Sequence, residues 1–154
     1  MPAFRLQALL DYKQQLEDQQ AVRLSAAEGE RRAAQGVLDD WYAHREEQCR
    51  RIDRLALANP LEAHVMREAV AYLGHLDAAI ARQVEVVREA EACVAAELNA
   101  LMGIAKERRA LERLRDHQAE KARRETERTD ARRTDDLTMT RFGRFATDFA
   151  AEGM

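Results

Sequence analysis

The stretch Leu55-Ala56-Leu57-Ala58-Asn59-Pro60-Leu61-Glu62 decides the fold, because it holds the one proline beyond position 2. Pro60 lacks the N–H that a helix interior needs, but in the first turn of a helix that missing donor costs nothing. Asn59 is a good N-cap, and Glu62 stands three residues later, as in a capping box. The stretch therefore predicts that one helix ends here and another begins.

The composition around this break is typical of long helices. Of the 154 residues, 34% are charged, 5% are aromatic and six are glycine, while Ala, Glu, Arg, Leu and Gln dominate. We predict an all-α fold, a single domain of two long helices in an antiparallel coiled-coil hairpin. Helix 1 is expected at about 3–58, the bend at about 58–60, helix 2 at about 60–140 and a tail at 141–154.

Apolar residues recur at steps of three and four on both sides of the break, which is the period of a helix face. On helix 1 the pattern is loose, since extending its frame also puts Arg31, Arg45 and Gln48 on the seam. On helix 2 the apolar stripe is stronger. It consists of Val65, Met66, Val70, Leu73, Leu76, Ile80, Val84, Val87, Val94, Leu98, Leu101, Ile104, Leu111 and Leu114.

The stripe of helix 2 stops where its partner is expected to stop. With the bend near Asn59, residues that face each other across the hairpin have numbers that sum to about 118. The start of helix 1, near residue 3, therefore faces residue 115 of helix 2, and helix 2 has no partner beyond that point. Helix 2 then overhangs by about 25 residues, on the order of 35–40 Å of single helix. A helix of that length is marginal in water unless a partner binds it.

The same numbering keeps the two cysteines apart. Cys49 lies level with Ala69, and Cys93 lies level with Ser25. Along the hairpin axis the two cysteines are then separated by about 24 residues of helix, on the order of 35 Å, which is too far for a disulfide within one hairpin. Both are expected to be small residues buried in the seam.

Motifs for catalysis are absent from the sequence. It contains no GxxxxGK[ST], no CxxC and no HExxH, and its six glycines are isolated. His44 and His75 lie level with each other, but two histidines without carboxylate or thiol support make a poor metal site. We expect surface histidines, no cofactor, no metal and no enzymatic activity.

Charge and hydropathy exclude further classes of partner. Residues 106–133 carry eleven Lys and Arg against seven Asp and Glu, and these acidic residues would repel phosphate, so nucleic-acid binding is not expected. The apolar runs are far shorter than the roughly 20 residues of a membrane span. The N-terminus has no apolar signal segment, which favours a cytoplasmic protein without direct membrane insertion.

Two features remain as candidate binding sites. Trp41 and Tyr42 lie level with Tyr72, Leu73 and Leu76, either as local packing near the bend or as a docking patch for a partner. In the tail three phenylalanines share a helical face without an intramolecular partner, namely Phe142, Phe145 and Phe149. This face is either a binding site or part of a frayed terminus.

Four segments, in order, resemble the FliJ family of flagellar export proteins, which is related to the YscO stalk proteins of injectisomes. FRLQALLDYK at 4–13 resembles the start of the family. The break at Asn59-Pro60-Leu61, followed by Met66 and the YLxxLxxxI pattern of 72–80, is similar to its middle segment. KERRALERL at 106–114 is similar to the family's K-x-R-x-x-L-E-x-L segment. RTDDL at 133–137, continued to Arg141-Phe142, resembles its terminal x-x-D-E signature, with Asp136 where the family has Glu.

The resemblance implies a non-enzymatic central stalk, similar to that of rotary ATPases, in the flagellar type III export apparatus. Such a stalk inserts into the hexameric export ATPase and stimulates it, contacts the export-gate membrane protein and binds export chaperones. This would serve flagellum biogenesis and motility from the cytoplasm, peripherally at the inner membrane. The ATP site would then belong to the partner.

The resemblance also implies two contact regions. Near the bend it maps the export-gate contact onto Leu38, Trp41, Tyr42, Tyr72, Leu76 and Ala79. At the termini it implies an ATPase-ring contact formed by Phe4, Leu6, Leu10, Arg113, Arg123, Arg124, Arg128, Phe142 and Phe145. Two alternatives stay open from the sequence: an injectisome stalk, and a general coiled-coil scaffold or adaptor whose helices pair between two chains.

Overall fold

Two long helices make up the regular structure of the chain. The computed structural model describes residues 3–58 and 63–153. Within them α1 spans Gln7–Ala58, α2 spans Ala63–Glu152 and no strand occurs. The helices pack against each other in opposite directions, which confirms the predicted all-α hairpin. The capping pattern predicted at 59–62 lies outside the described residues.

Both outer helix ends differ from the sequence estimates. α1 begins at Gln7 and not near residue 3. A turn precedes it, in which the Gln7 N–H donates to the Phe4 carbonyl at 3.0 Å. No Ser, Thr, Asp or Asn precedes this turn to cap an earlier start. α2 continues beyond residue 140 to Glu152, because no proline interrupts it and Gly143 alone does not end it.

Residues 14–105 form one compact unit, and its seam follows a strict heptad. In both helices every a and d position is buried or half-buried, and these positions follow one another in steps of three and four. In α1 the a positions are Glu17, Leu24, Arg31, Leu38, Arg45 and Ile52, and the d positions are Gln20, Ala27, Ala34, Trp41, Gln48 and Leu55. In α2 the a positions are Met66, Leu73, Ile80, Val87, Val94 and Leu101, and the d positions are Ala69, Leu76, Gln83, Ala90, Glu97 and Ile104. The heptad is therefore more regular in the structure than the apolar residues of the sequence indicate, because polar side chains occupy several of the a and d positions.

Three glutamines at d positions join the two helices through the main chain. Gln20 Nε2 donates to the carbonyl of Glu97 at 3.1 Å, and Gln48 Nε2 donates to that of Ala69 at 3.1 Å. Gln83 Nε2 donates in the other direction, to the carbonyl of Ala34 at 2.9 Å. Each carbonyl has a second lone pair beside the one used in its own helix, so these bonds leave the helices intact.

These pairs define the register of the seam. In all three the two residue numbers add up to 117, close to the level count of about 118 expected from the bend. Two of the three glutamines face an alanine, whose small side chain leaves the carbonyl accessible and leaves room for the amide. Polar groups placed in this way specify one alignment of the helices.

The strict frame also excludes some leucines and valines that were expected on the stripe. Val70, Leu98 and Leu114 are exposed, because each lies one position beside a seam position. Glu97, and not Leu98, occupies the seam and accepts hydrogen bonds from Gln20 through both its carbonyl and its carboxylate. The expectation for Cys93 is wrong as well: it is exposed, while Cys49 is half-buried, and neither forms a disulfide.

The second unit contains the N-terminal residues through Lys13 together with residues from Lys106 on. Here Leu10 is buried, and the Lys13 ammonium pairs with the carboxylate of Glu107. After Ala122 every described residue of α2 is exposed. Residues 123–152, called the C-terminal extension below, therefore form a helical overhang that begins and ends later along the chain than the predicted overhang of about 115–140.

The hairpin can be tested by cross-linking within one chain. Arg23 and Cys93 each directly precede a seam a position, which puts both on the same side of the seam at the same level. In Arg23→Cys we expect a short bismaleimide to join the new thiol to Cys93 within a monomer. Intact-mass spectrometry and a non-reducing gel measure this outcome.

Ser25→Cys is the matched control, since residue 25 lies at a similar level but on the exposed outer face. We expect little internal cross-linking in this variant. A doubled mass for Arg23→Cys, or equal linkage in both variants, would contradict the hairpin register.

The buried glutamines make a second prediction. Gln48→Ala removes the bond to Ala69 and leaves a void in the seam, so the free energy of unfolding should fall by about 1–2 kcal/mol. The exposed Gln19, changed to Ala, should alter it by less than about 0.5 kcal/mol. Urea unfolding followed by circular dichroism compares the two variants, and equal effects would show that Gln48 has no special place in the seam.

Candidate interaction surfaces

The six residues expected near the bend do not form one exposed patch. Leu38 and Leu76 lie inside the seam, and Leu76 is only 2% exposed. Trp41 is half-buried and packs against the core cluster of Leu38, Ile80 and Val87. These side chains support the surface, so contact with a partner falls to the outer residues.

Tyr42 and Tyr72 are each about half exposed, but they lie on opposite sides of the seam. Tyr42 directly follows the d position Trp41, so it is an e position; Tyr72 directly precedes the a position Leu73, so it is a g position. In an antiparallel pair e residues flank e residues, and g residues flank g residues. The two tyrosines therefore belong to two separate strips.

The e-side strip carries an ion pair between the helices. Arg45 Nε donates to Asp77 Oδ1 at 2.6 Å, and this hydrogen bond to the carboxylate raises the pKa of the Arg45 guanidinium, with smaller contributions from nearby Cys49 and Tyr42. The sequence placed Arg45 on the seam but did not identify its partner. A tyrosine beside a fixed ion pair offers a partner both an apolar ring and polar groups.

The g-side strip is more apolar. The Trp41 ring lies 6.2 Å from that of His44, tilted by 54°, and His44 Nδ1 lies 2.7 Å from the Asp40 carbonyl. Three further g positions belong to this strip: the exposed Val37 and Val86 and the half-buried Ala79. Sequence reasoning missed the two valines, although a strict heptad would have placed both on the same side of the seam as Tyr72.

The residues expected at the ATPase ring all belong to the unit that contains the C-terminal extension. At its N-terminal part Phe4 is half-buried, Leu6 is partly exposed and Leu10 is buried. Arg113 is exposed on α2. Leu10 therefore supports the packing here, and the accessible part of this set is formed by the arginines and phenylalanines.

The arginines of the C-terminal extension are partly neutralised within their own helix. Glu120 pairs with Arg124 at 2.9 Å and with Arg123 at 3.1 Å, and Arg123 also lies 3.6 Å from Glu127. The hydrogen bond from Arg124, with the charge of Arg123, lowers the pKa of Glu120. Such exposed i,i+3 and i,i+4 pairs support a helix without fixing its surroundings.

Three phenylalanines form a stripe on the C-terminal extension. Phe142, Phe145 and Phe149 are 72%, 76% and 83% exposed. Their spacing of three and four residues puts them on one face of the helix, in the pattern used by helices that bind in an apolar groove. The structure thus shows a helical stripe where the sequence left a frayed terminus open.

The intrinsic helix preference of the C-terminal extension is weak. All six threonines of the chain fall between 126 and 147, and each hydroxyl donates to the carbonyl four residues earlier. Threonine loses side-chain freedom in a helix, and this back-bonding slightly destabilises it. Without a tertiary partner, such a segment has little helical stability of its own.

Neither a metal centre nor a membrane span is visible in the described part of the chain. No group of three or more His, Cys, Asp or Glu side chains there is arranged to hold a metal ion. Neither helix, within 7–58 and 63–152, contains a segment long and apolar enough to cross a membrane.

The packed seam, the exposed residues on its two sides and the exposed C-terminal extension define a class of protein, namely a coiled-coil hairpin that presents contact surfaces. The chain belongs to the FliJ family, because the model of the flagellar FliJ protein matches residues 2–146. The family is a non-catalytic component of flagellar protein export. No curated protein and no solved structure matches the chain.

The placement of the six bend-proximal residues separates structural from surface roles. Leu76→Ala should lower the free energy of unfolding by about 2–5 kcal/mol, because it empties a fully buried seam position. Tyr42→Ala and Tyr72→Ala should each change it by less than about 0.5–1 kcal/mol. Urea unfolding of the three variants tests this, and a large loss in either tyrosine variant would show that its ring belongs to the packing.

Proposed function

We propose that this chain is the central stalk of a flagellar type III export apparatus, which inserts into the hexameric export ATPase and stimulates it. The observation that carries the proposal is the C-terminal extension, thirty helical residues with arginines and phenylalanines exposed and no tertiary cover among the described residues. Membership of the FliJ family supports an export role over a general scaffold, and a flagellar system over an injectisome.

The ring contact uses two kinds of side chain on the C-terminal extension. Arg123, Arg124 and Arg128 present guanidinium groups to carboxylates or main-chain carbonyls on the inner surface of the ring. Phe142 and Phe145 insert into apolar grooves between subunits. Burial of these groups supplies the free energy that a solitary helix lacks, so stable helix formation accompanies insertion.

A second contact joins the export-gate membrane protein. Tyr42 on the e-side strip and Tyr72 with Ala79 on the g-side strip form it, while Leu38, Trp41 and Leu76 hold the helices that carry them. A partner that contacts both tyrosines must bind the hairpin on two opposite sides. Export chaperones are further partners, and the chain then acts in the cytoplasm, peripherally at the inner membrane.

The ATPase contact is tested by adding the chain to its cognate export ATPase and measuring ATP hydrolysis and ring assembly. We expect both to increase with the whole chain. Deletion of residues 123–154 should abolish the increase, because it removes the exposed arginines and phenylalanines. Arg123→Ala, Arg124→Ala and Arg128→Ala combined should reduce it, since alanine keeps the helix but removes the cations.

A matched control removes three exposed arginines from elsewhere in the same helix, in the combination Arg67→Ala, Arg82→Ala and Arg88→Ala. The change in net charge is the same, so stimulation should persist. If the whole chain leaves hydrolysis and assembly unchanged, or if the deletion variant stimulates as well as the whole chain, the stalk proposal is wrong.

A further inference from the structure

The phenylalanine stripe has heptad spacing, in a frame shifted by one residue from that of the seam. Phe142 and Phe149 occupy two a positions of a local heptad, and Phe145 occupies the d position between them. Arg141 and Asp148 each directly precede an a position, so both lie on the g side of the stripe. Both are exposed, and neither has an ion-pair partner among the described residues.

We propose that a second copy of this chain covers the stripe, with residues 138–152 of the two copies paired antiparallel about Phe145. The register follows from the hairpin itself, where d faces d in Gln48 and Ala69 and a packs against a in Leu38 and Ile80. With Phe145 against Phe145 of the second copy, the same geometry puts Phe142 against Phe149 and Arg141 against Asp148. The segment is thus complementary to itself in both shape and charge.

The charges favour the antiparallel arrangement over the parallel one. In a parallel pair, like residues meet at the frame positions, which brings Asp135 against Asp135 and Glu152 against Glu152. The antiparallel pair removes both repulsions, because Glu152 then faces Thr138. It also forms the pair of Arg141 and Asp148 twice, as the two-fold symmetry requires.

The size of the interface sets its strength. Six phenylalanine side chains that are now largely exposed would bury on the order of 600–1,000 Å² together, at or below the low end of specific interfaces. Association is therefore weak and depends on concentration. Since Phe142 and Phe145 also belong to the proposed ring contact, pairing and insertion exclude each other, and pairing shields the phenylalanines of chains outside the ring. The pairing itself does not rest on the proposed function.

Sedimentation velocity of the full chain alone, from low to high micromolar concentration, tests the pairing. We expect a shift from monomer to dimer as the concentration rises. Arg141→Asp and Asp148→Arg, taken singly, should each weaken the dimer about tenfold, because each sets like charges against each other twice. The double variant restores opposite charges and should return the affinity to within about threefold of the original.

Arg144→Asp is the control, since it makes the same charge change on the face turned away from the stripe and should leave the dimer unchanged. A chain that stays monomeric throughout, or a double variant that fails to recover, overturns the proposal. No ATPase is present, so this result is independent of the stalk function.

Cross-linking supplies a second measurement that does not depend on charge. With Cys49 and Cys93 replaced by serine, Ala146→Cys should form a disulfide-linked dimer, because position 146 meets itself across the two-fold axis. Ala151→Cys, on the outer face, should link far less. Equal linkage of the two variants would show that the copies do not pair through the stripe.

Discussion

The fold depends on the register of one polar seam. Gln20, Gln48 and Gln83 each reach a main-chain carbonyl across the interface, two of them over alanines. A slip of one heptad in one direction would set these amides against Ile104, Leu76 and Trp41, which leave no room and no open carbonyl. A slip in the other direction separates Arg45 from Asp77. Apolar residues hold the helices together without choosing an alignment, whereas the polar residues choose it.

The register then decides which side chains are available for contact. Leu38, Trp41 and Leu76 are adjacent in level to the two tyrosines, yet the frame turns them inward and leaves Tyr42 and Tyr72 on opposite sides. The same frame leaves Leu98 and Val70 outside and draws Glu97 in. A functional surface on a two-helix protein is therefore made of flanking e and g positions, because a narrow seam cannot bury more than one stripe of each helix.

The C-terminal extension has no packed seam among the described residues, and its composition and exposure differ accordingly from the rest of α2. Threonines, Gly143 and exposed phenylalanines accumulate where no described residue packs against α2. A helix of this composition has little stability of its own, so a partner that packs against it would stabilise it. Both the ring contact and the self-pairing proposed above use that property, since either one supplies the missing apolar contact.

By itself the sequence determined the two helices, their antiparallel pairing, the level count to within one residue and the overhang, because Pro60 and the end of the apolar stripe are local signals. It also pointed to Arg31, Arg45 and Gln48 in the seam. Only the tertiary structure decided which polar groups bond across it, such as Gln83 with Ala34, and which aromatics stay exposed. If either helix turned about its axis so that the neighbouring residue faced the seam, different side chains would be buried and exposed. The packing of the whole seam determines which orientation each helix adopts.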